Sequence, residues 1–455
     1  MSQLMQFHEN AAVIAWWNTR FERALNWLTP VRRRLILAVA AIYIGIVKPL
    51  KLMKKEELLG LPEDWLGKAA VVFGLLAILW LIYQAAFRFK TLPMAVRRHP
   101  QMTLHGLFWL FLLGLWATPP TLGWPRSVML GIAVVFPFLI WRCAYLLQAG
   151  QQGQAAKTSF RDHIYYLWPA YGGTDTPIGK GHGYLSSCEA KTSEELARSQ
   201  LRGIKLLLLS VCWDYAAKLM HTLFYGQQSL LGVQGSGIPE LAELLVPGST
   251  ASIGASWASV YCELFYQVLD HAAAGHKIVG IISLFGFNIF RNTYKPLLAE
   301  SIVDFWNRYY YYFKEILANF FFMPTFMQLG RRLQNWPNLR LFIAVFAAAF
   351  IGNMYYHIIK LHGALAAGDV FGIVYGLRSR FFYCLLLAVG IYVSMRRLQM
   401  RAQKPVSTSW LARGKRMFGV WTFFGLIYIW NVSSAADFVT RVEFFASLFG
   451  LSNVI

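Results

Sequence analysis

The chain has 455 residues, of which 56% are hydrophobic and 14% charged. A soluble domain carries roughly 25% charged residues, so this composition excludes an ordinary soluble globule. The formal net charge of +21 does not signal nucleic acid, because the basic residues cluster beside apolar runs: Arg32-Arg33-Arg34, Lys51/Lys54/Lys55, Arg88/Lys90/Arg97/Arg98, and Arg396 to Arg416. The positive-inside rule and anionic headgroups produce that arrangement, so membrane lipids are the expected surroundings.

In chain order, residues 1–34 open with MSQLMQFHENAAVIAWWNTRFERALNWL and read as an amphipathic interfacial helix, with Trp16, Trp17 and Trp27 as headgroup anchors. No cleavable signal pattern is present. The short apolar run 35–47 reads as a half-crossing or re-entrant piece. A bilayer crossing takes about 20 apolar residues. The runs 69–87, 104–118, 127–147, 341–359, 381–395 and 417–431 reach or approach that length, and 203–224, 251–270 and 276–290 are further candidates. The 88–98 loop and the acid-free 396–416 loop should face the cytoplasm. The expected fold is all-α: one polytopic integral membrane domain over 1–455, with roughly nine to twelve helices and re-entrant or broken segments forming a funnel.

Two regions break the apolar pattern, 151–200 and 286–315. Gly172-Gly173, Pro177 and Gly179 mark turns in the first, and Pro296 is expected to open the helix that carries Phe305-Trp306. The five cysteines, Cys143, Cys188, Cys212, Cys262 and Cys384, have no metal-ligand or redox spacing and read as buried free thiols. No metal site and no bound cofactor is expected. Asp214 and Lys218, four apart, read as an intramembrane pair. His221 reads as a helix-end histidine, and His271 and His276 as loop residues between two spans.

The stretch AESIVDFWNRYYYYFKE (299–315) holds the densest chemistry. Phe305, Tyr309, Tyr312, Phe313 and Ile316 recur at helical spacing and define one face. Asp304 and Arg308 are four apart, acid first, and should pair. Aromatic rings also belt headgroups and Lys314 can snorkel there, so an interfacial helix and a cavity wall are both consistent with the pattern. His357 ends the apolar run FIAVFAAAFIGNMYYH beside Asn353, Tyr355 and Tyr356, and His362 follows before a glycine. A histidine suits general-base work on a hydroxyl or thiol near neutral pH.

These blocks carry a resemblance. LFGFNIFRNTYKPLLAESIVDFWNRYY is similar to the signature of the membrane-bound O-acyltransferases, in the bacterial branch that acts on alginate and teichoic acid. The matching residues are Phe285-Gly286-Phe287, Pro296, Ser301, Phe305-Trp306 and Arg308. The family carries an essential histidine roughly fifty residues downstream. His357 fits that distance, and His362, with its following glycine, fits the local wording. LWPAYGGTDTPIGKG resembles an upstream block through Pro169, Pro177, Ile178 and Lys180. The resemblance covers roughly 160–365, with further spans over 366–455. Many members have a histidine where this chain has Tyr310, and Thr176-Pro177-Ile178-Gly179 departs from their wording.

The resemblance implies acyl transfer to a hydroxyl acceptor from acyl-CoA or another acyl thioester. His357 or His362 would be the base. Asn353 or a phenol would orient the ring or hold the oxyanion. Asp304, Trp306, Arg308, Tyr309, Tyr310 and Lys180 would line the substrate path. It further implies a bacterial cytoplasmic membrane, a cell-surface polysaccharide as acceptor, and an extracytoplasmic acyltransferase or polysaccharide-synthesis partner. Two other readings stay open: a transporter or flippase built on Asp214, Lys218 and the broken 160–185 segment, and a catalytically inactive scaffold, to which Tyr310 points.

Overall fold

The computed structural model describes residues 4–55, 60–166, 180–226, 229–230, 233–249, 251–401, 409–433 and 436–451. The turn residues Pro169, Gly172, Gly173, Pro177, Ile178 and Gly179 lie outside the described residues. The fold is all-α. Among the described residues, extended pairing is limited to the two-residue strands Ser229–Leu230 and Val233–Gln234 and one bridge between Glu189 and Phe287. Among the described residues, four helices are long and apolar enough to cross a membrane: Trp65–Phe87, Trp124–Gln151, Pro337–Lys360 and Val370–Met400. This is a membrane-type protein.

The chain forms two compact units. The first comprises Met1–Leu206, Ile278–Phe290 and Tyr356–Tyr375. At its centre is Trp124–Gln151, whose most apolar window is 94% buried, against 28% for Trp65–Phe87. The outer helix shows why: Val71, Leu75, Leu79 and Tyr83 recur every fourth residue as one buried stripe, while Phe73, Trp80 and Leu81 stay exposed. One stripe packs on the neighbouring helix and the rest meets the surroundings. The central helix approaches the Trp65–Phe87 backbone closely at Gly150, where a Cβ would come within 2.6 Å of the Ala86 carbonyl oxygen.

The N-terminus departs from the sequence reading. Residues 11–27 form two helices, Ala11–Arg20 and Glu22–Trp27, and Ile14 and Leu25 pack against Ala190, Leu196, Ala197 and Leu201. Trp17 donates to Gln200 Oε1 at 2.9 Å, so it anchors to protein rather than to headgroups; Trp16 and Trp27 remain exposed. The 35–47 run lies inside one continuous 26-residue helix, Pro30–Lys55. Its first turns are held by protein contacts. Arg33, fully buried, donates to the Ala190 carbonyl at 2.5 Å, and Arg34 pairs with Glu189. The Arg32-Arg33-Arg34 triplet is therefore only partly a headgroup cluster.

The second unit comprises Leu207–Lys277, Arg291–Tyr355 and Gly376–Ile455. Ile253–Leu284 is one helix of 32 residues, where two spans and a loop were expected. The intervening Ala272-Ala273-Ala274 is the best helix-forming composition, and a single Gly275 costs only about 1 kcal/mol. His271 and His276 each bond a carbonyl one turn back, Gln267 O at 3.0 Å and Ala272 O at 2.6 Å. Asp214 and Lys218 pair at 2.8 Å, but on an exposed face, with about half or more of each side chain accessible (50% and 69%). Cys212 is exposed and Cys188 half-buried, whereas Cys143, Cys262 and Cys384 are buried.

Candidate functional site

The signature residues of the second unit are held by a break in their helix. The expected single helix is two, Ile302–Tyr309 and Tyr311–Leu317, with Tyr310 between them at φ −143°, ψ 65°. Pro296 opens only a short 3₁₀ turn, Pro296–Leu298, and Ser301 caps the helix that follows, accepting from the Asp304 amide at 3.1 Å. The preceding Arg-Asn-Thr-Tyr stretch satisfies the groups that the break frees. Tyr311 N–H donates to the Asn292 carbonyl (2.9 Å) and Tyr312 N–H to Asn292 Oδ1 (3.2 Å). Thr293 Oγ1 donates to the Tyr309 carbonyl (3.0 Å), and Tyr294 N–H to that of Arg308 (2.7 Å). Lys295, which ends the stretch, sits at φ +49°, a conformation costly for a side chain with a Cβ. The break is thus built by several independent contacts.

Around it, Phe305 is fully buried and stacks on Phe424 at 3.9 Å, and Trp306 meets Phe313 edge-on at 5.8 Å. Both are packing residues first. Asp304 and Arg308 pair at 2.8 Å, with about a third of each side chain exposed (36% and 34%). Lys314 pairs with Glu315 at 2.5 Å and sits over the Tyr311 ring. Glu300 accepts from Arg413 at 2.7 Å and from Arg416 at 2.8 Å.

Tyr309 and Tyr310 both pack on His271, with ring centroids 5.1 and 5.6 Å away. A carbonyl only accepts, so the Gln267 oxygen fixes the His271 proton on Nδ1 and leaves the lone pair of the neutral ring on Nε2. One turn further back, Gln267 Nε2 donates to Glu263 Oε1 at 3.0 Å, and Glu263 is buried. Glu263, Gln267 and His271 therefore form a polar seam at i, i+4 and i+8. Sequence reading missed it by placing His271 in a loop; the four-residue spacing was the available signal.

Asn353 follows a π-helical turn, Ala347–Gly352. A second such turn, Ala318–Phe322, lies against it. A Cβ on Gly352 would come within 2.7 Å of the Phe321 ring. The Asn353 side chain is fully buried, and neither Oδ1 nor Nδ2 has a hydrogen-bond partner among the described residues. It therefore does not orient His357 by a hydrogen bond. An unsatisfied buried group costs about 1–3 kcal/mol, and π-turns recur at functional sites.

In the first unit, His357 lies on Asn353–Lys360 with its ring edge-on to Tyr356 at 5.7 Å. His362 begins the next short helix, His362–Ala367, edge-on to Phe138 at 4.7 Å. It lines a narrow cleft of about 10 Å³, room for about one water molecule, with Pro137, Phe138, Trp141, Tyr356, Ile359 and Lys360. The sequence favoured His357 by distance; the cleft lies beside His362. Lys180 has its ammonium 5.8 Å from the Tyr184 ring, and its carbonyl accepts from Arg142 at 2.6 Å. Arg142, buried in Trp124–Gln151, also donates to the Tyr166 carbonyl at 2.8 Å.

A buried polar network that sequence reading did not find surrounds these carbonyls. The Tyr166 hydroxyl donates to Glu189 at 2.9 Å, and Glu189 is held by Arg34. His163 and His182 lie 5.4 Å apart. His163 Nε2 lies 2.8 Å from Thr158 Oγ1, whose own proton goes to the Ala155 carbonyl. Burial, then the neighbouring His182, pushes His163 down to about 3. Gly286 of the Phe-Gly-Phe lead closes the network. Its φ of +85° and absent side chain admit the Arg33 guanidinium, which would lie 2.8 Å from a Cβ there.

No family model matches the chain, and no curated protein matches it.

Proposed function

We propose that the protein is a membrane-embedded O-acyltransferase. An acceptor hydroxyl attacks the carbonyl of an acyl thioester, a histidine takes the hydroxyl proton, the C–O bond forms, and the C–S bond breaks to release a thiolate. The base comes from the pair that ends the Pro337–Lys360 helix, His357 and His362. The observation that carries this reading is His362 on the wall of a cleft beside Tyr356 and Lys360. His362, Tyr356 and Lys360 all border this space, and in this reading they would supply a base, an oxyanion donor and a positive charge.

The remaining parts follow from the motif order. Asp304, Arg308, Tyr309 and Tyr310 form a braced wall, and Trp306 holds it by packing. Lys180 is a donor-side cation. The donor is acetyl-CoA or a related thioester, and the acceptor is a hydroxyl of a cell-surface polysaccharide, reached through a passage between helices in a bacterial cytoplasmic membrane. An extracytoplasmic partner would complete delivery. The test uses purified protein in lipid nanodiscs with radiolabelled acetyl-CoA. Thioester consumption by the wild type, at least tenfold slower in His362→Ala or His357→Ala, is expected. Consumption unchanged in both variants and in the double variant would remove histidine catalysis. No binding or consumption by the wild type would leave the scaffold reading, which Tyr310 favours because a phenol is not a base near neutral pH.

A further inference from the structure

The second unit holds a cavity of about 310 Å³ that neither His357 nor His362 borders. Clefts of roughly 300 Å³ and above are the size that small molecules occupy. One wall is the 244–249 turn. The other is one face of the Phe438–Ser447 helix, where Thr440, Glu443 and Ser447 follow at i, i+3 and i+7. That helix is held through the residues after it: Trp257 Nε1 donates to the Leu448 carbonyl at 2.9 Å, and the Trp257 ring meets Phe449 edge-on at 5.7 Å. The hydrogen-bonding chemistry of this face is one-sided. The Ser447 hydroxyl gives its proton to the Phe444 carbonyl (2.7 Å). The Thr440 hydroxyl and amide both donate to Asp437, the amide at 2.8 Å. Each hydroxyl oxygen then has only lone pairs left to offer. Glu443 is exposed, has no ion pair among the described residues, and adds a carboxylate, which only accepts. Among the described residues no lysine, arginine or histidine lines the cavity, although the chain carries a net charge of +21.

A phosphate, a carboxylate or a carbonyl only accepts, and finds no donor side chain on that face. Calcium collects about six to eight oxygens around one point, more than one carboxylate and two hydroxyls supply. A quaternary ammonium has no N–H and relies on aromatic faces, and Phe444 is the one ring on the described lining. A primary ammonium is positive and donates three N–H bonds. Phe444, with Leu244, Val246 and Pro247 of the turn, gives its carbon body an apolar surface. We propose that this cavity binds a primary ammonium on a short apolar body, with Glu443 as its counter-ion and the Thr440 and Ser447 oxygens as its acceptors. The assignment does not rest on the acyl-transfer reading. A free amine and the headgroup of phosphatidylethanolamine both carry that group.

The experiment titrates the protein in phosphatidylcholine nanodiscs with n-butylamine, butyltrimethylammonium and n-butanol, followed by saturation-transfer NMR against empty discs. Butylamine, protonated at neutral pH, should bind about tenfold or more tightly than the other two. Glu443→Gln should lose that advantage and bind butylamine no better than butanol, while melting as the wild type does, because the position is exposed. Ser447→Ala should weaken butylamine binding severalfold. If discs that contain phosphatidylethanolamine abolish butylamine binding to the wild type, the site belongs to the lipid headgroup; if binding is unchanged in them, it belongs to a soluble amine. Equal binding of butylamine and butyltrimethylammonium overturns the proposal, and so does unchanged butylamine binding in Glu443→Gln.

Discussion

At the scale of single residues, burial separates two ion pairs of the same chemistry, each an arginine with a carboxylate. Glu189 keeps only 3% of its side chain exposed and is held by Arg34 and the Tyr166 hydroxyl. Glu189→Gln leaves the Arg34 charge without a counter-ion in a poorly hydrated place, which costs about 3 kcal/mol, the lower end for such a break because Arg34 keeps some access to water. Asp304 and Arg308 are both about one-third exposed (36% and 34%). Asp304→Asn should therefore cost less than about 1 kcal/mol. Thermal unfolding in nanodiscs, followed by tryptophan fluorescence, should rank the two in that order; equal losses would contradict it. The Asp304–Arg308 pair was legible because its partners are four apart on one helix. The Arg34–Glu189 pair was not, because 155 residues separate them, and a basic triplet beside an apolar run has the same local pattern whether it meets lipid or a buried carboxylate.

At the scale of elements, the sequence carried helix positions better than helix continuity. Periodicity put Phe305, Tyr309, Tyr312, Phe313 and Ile316 on one face; Phe305, Tyr312, Phe313 and Ile316 are buried, and Tyr309, next to the break, is half-buried. It could not show the break at Tyr310, because the break is imposed by a different stretch, Asn292 to Tyr294. The same limit, in reverse, hid the continuity of Ile253–Leu284, where a histidine beside a glycine looked like a loop. The break makes a sharp expectation. Asn292→Ala removes the side-chain acceptor of the Tyr312 amide but keeps the backbone acceptor of the Tyr311 amide. It should cost about 1–3 kcal/mol, the penalty of one buried unsatisfied group. Hydrogen exchange should accelerate at Tyr312 more than at Tyr311. Equal acceleration at both would mean that the whole Asn292–Tyr294 stretch had detached and that the break does not depend on the Asn292 side chain alone.

At the scale of the whole molecule, composition was enough for an all-α membrane-type protein, and a stripe such as Val71, Leu75, Leu79 and Tyr83 shows how that composition is used. What composition could not show is which titratable groups hold which segments, and these set the local response to acid. In the first unit His163 is neutral and buried, flanked by His182, Arg142 and Asp162, and burial pushes it down to about 3. Burial likewise lowers His182. A histidine depressed below its unfolded value of about 6.5 binds fewer protons in the folded state. Its stabilisation is complete above about pH 6.5 and is lost progressively as the pH falls toward 3. In the second unit Glu300 is lowered by hydrogen bonds from Arg413 and Arg416. Its contribution is complete above the ordinary carboxylate range, near 4.3, and is lost only as the pH falls below it. The segment around His163 should therefore loosen at higher pH than the segment around Glu300. Hydrogen exchange over 155–166 and 180–190 should rise between about pH 6 and 5, ahead of exchange over 296–317. His163→Gln should flatten the early rise, because a neutral amide in that pocket has no proton to gain. If both regions open together in the wild type, or if the early rise survives His163→Gln, the buried imidazole is not the group that sets its segment's acid response.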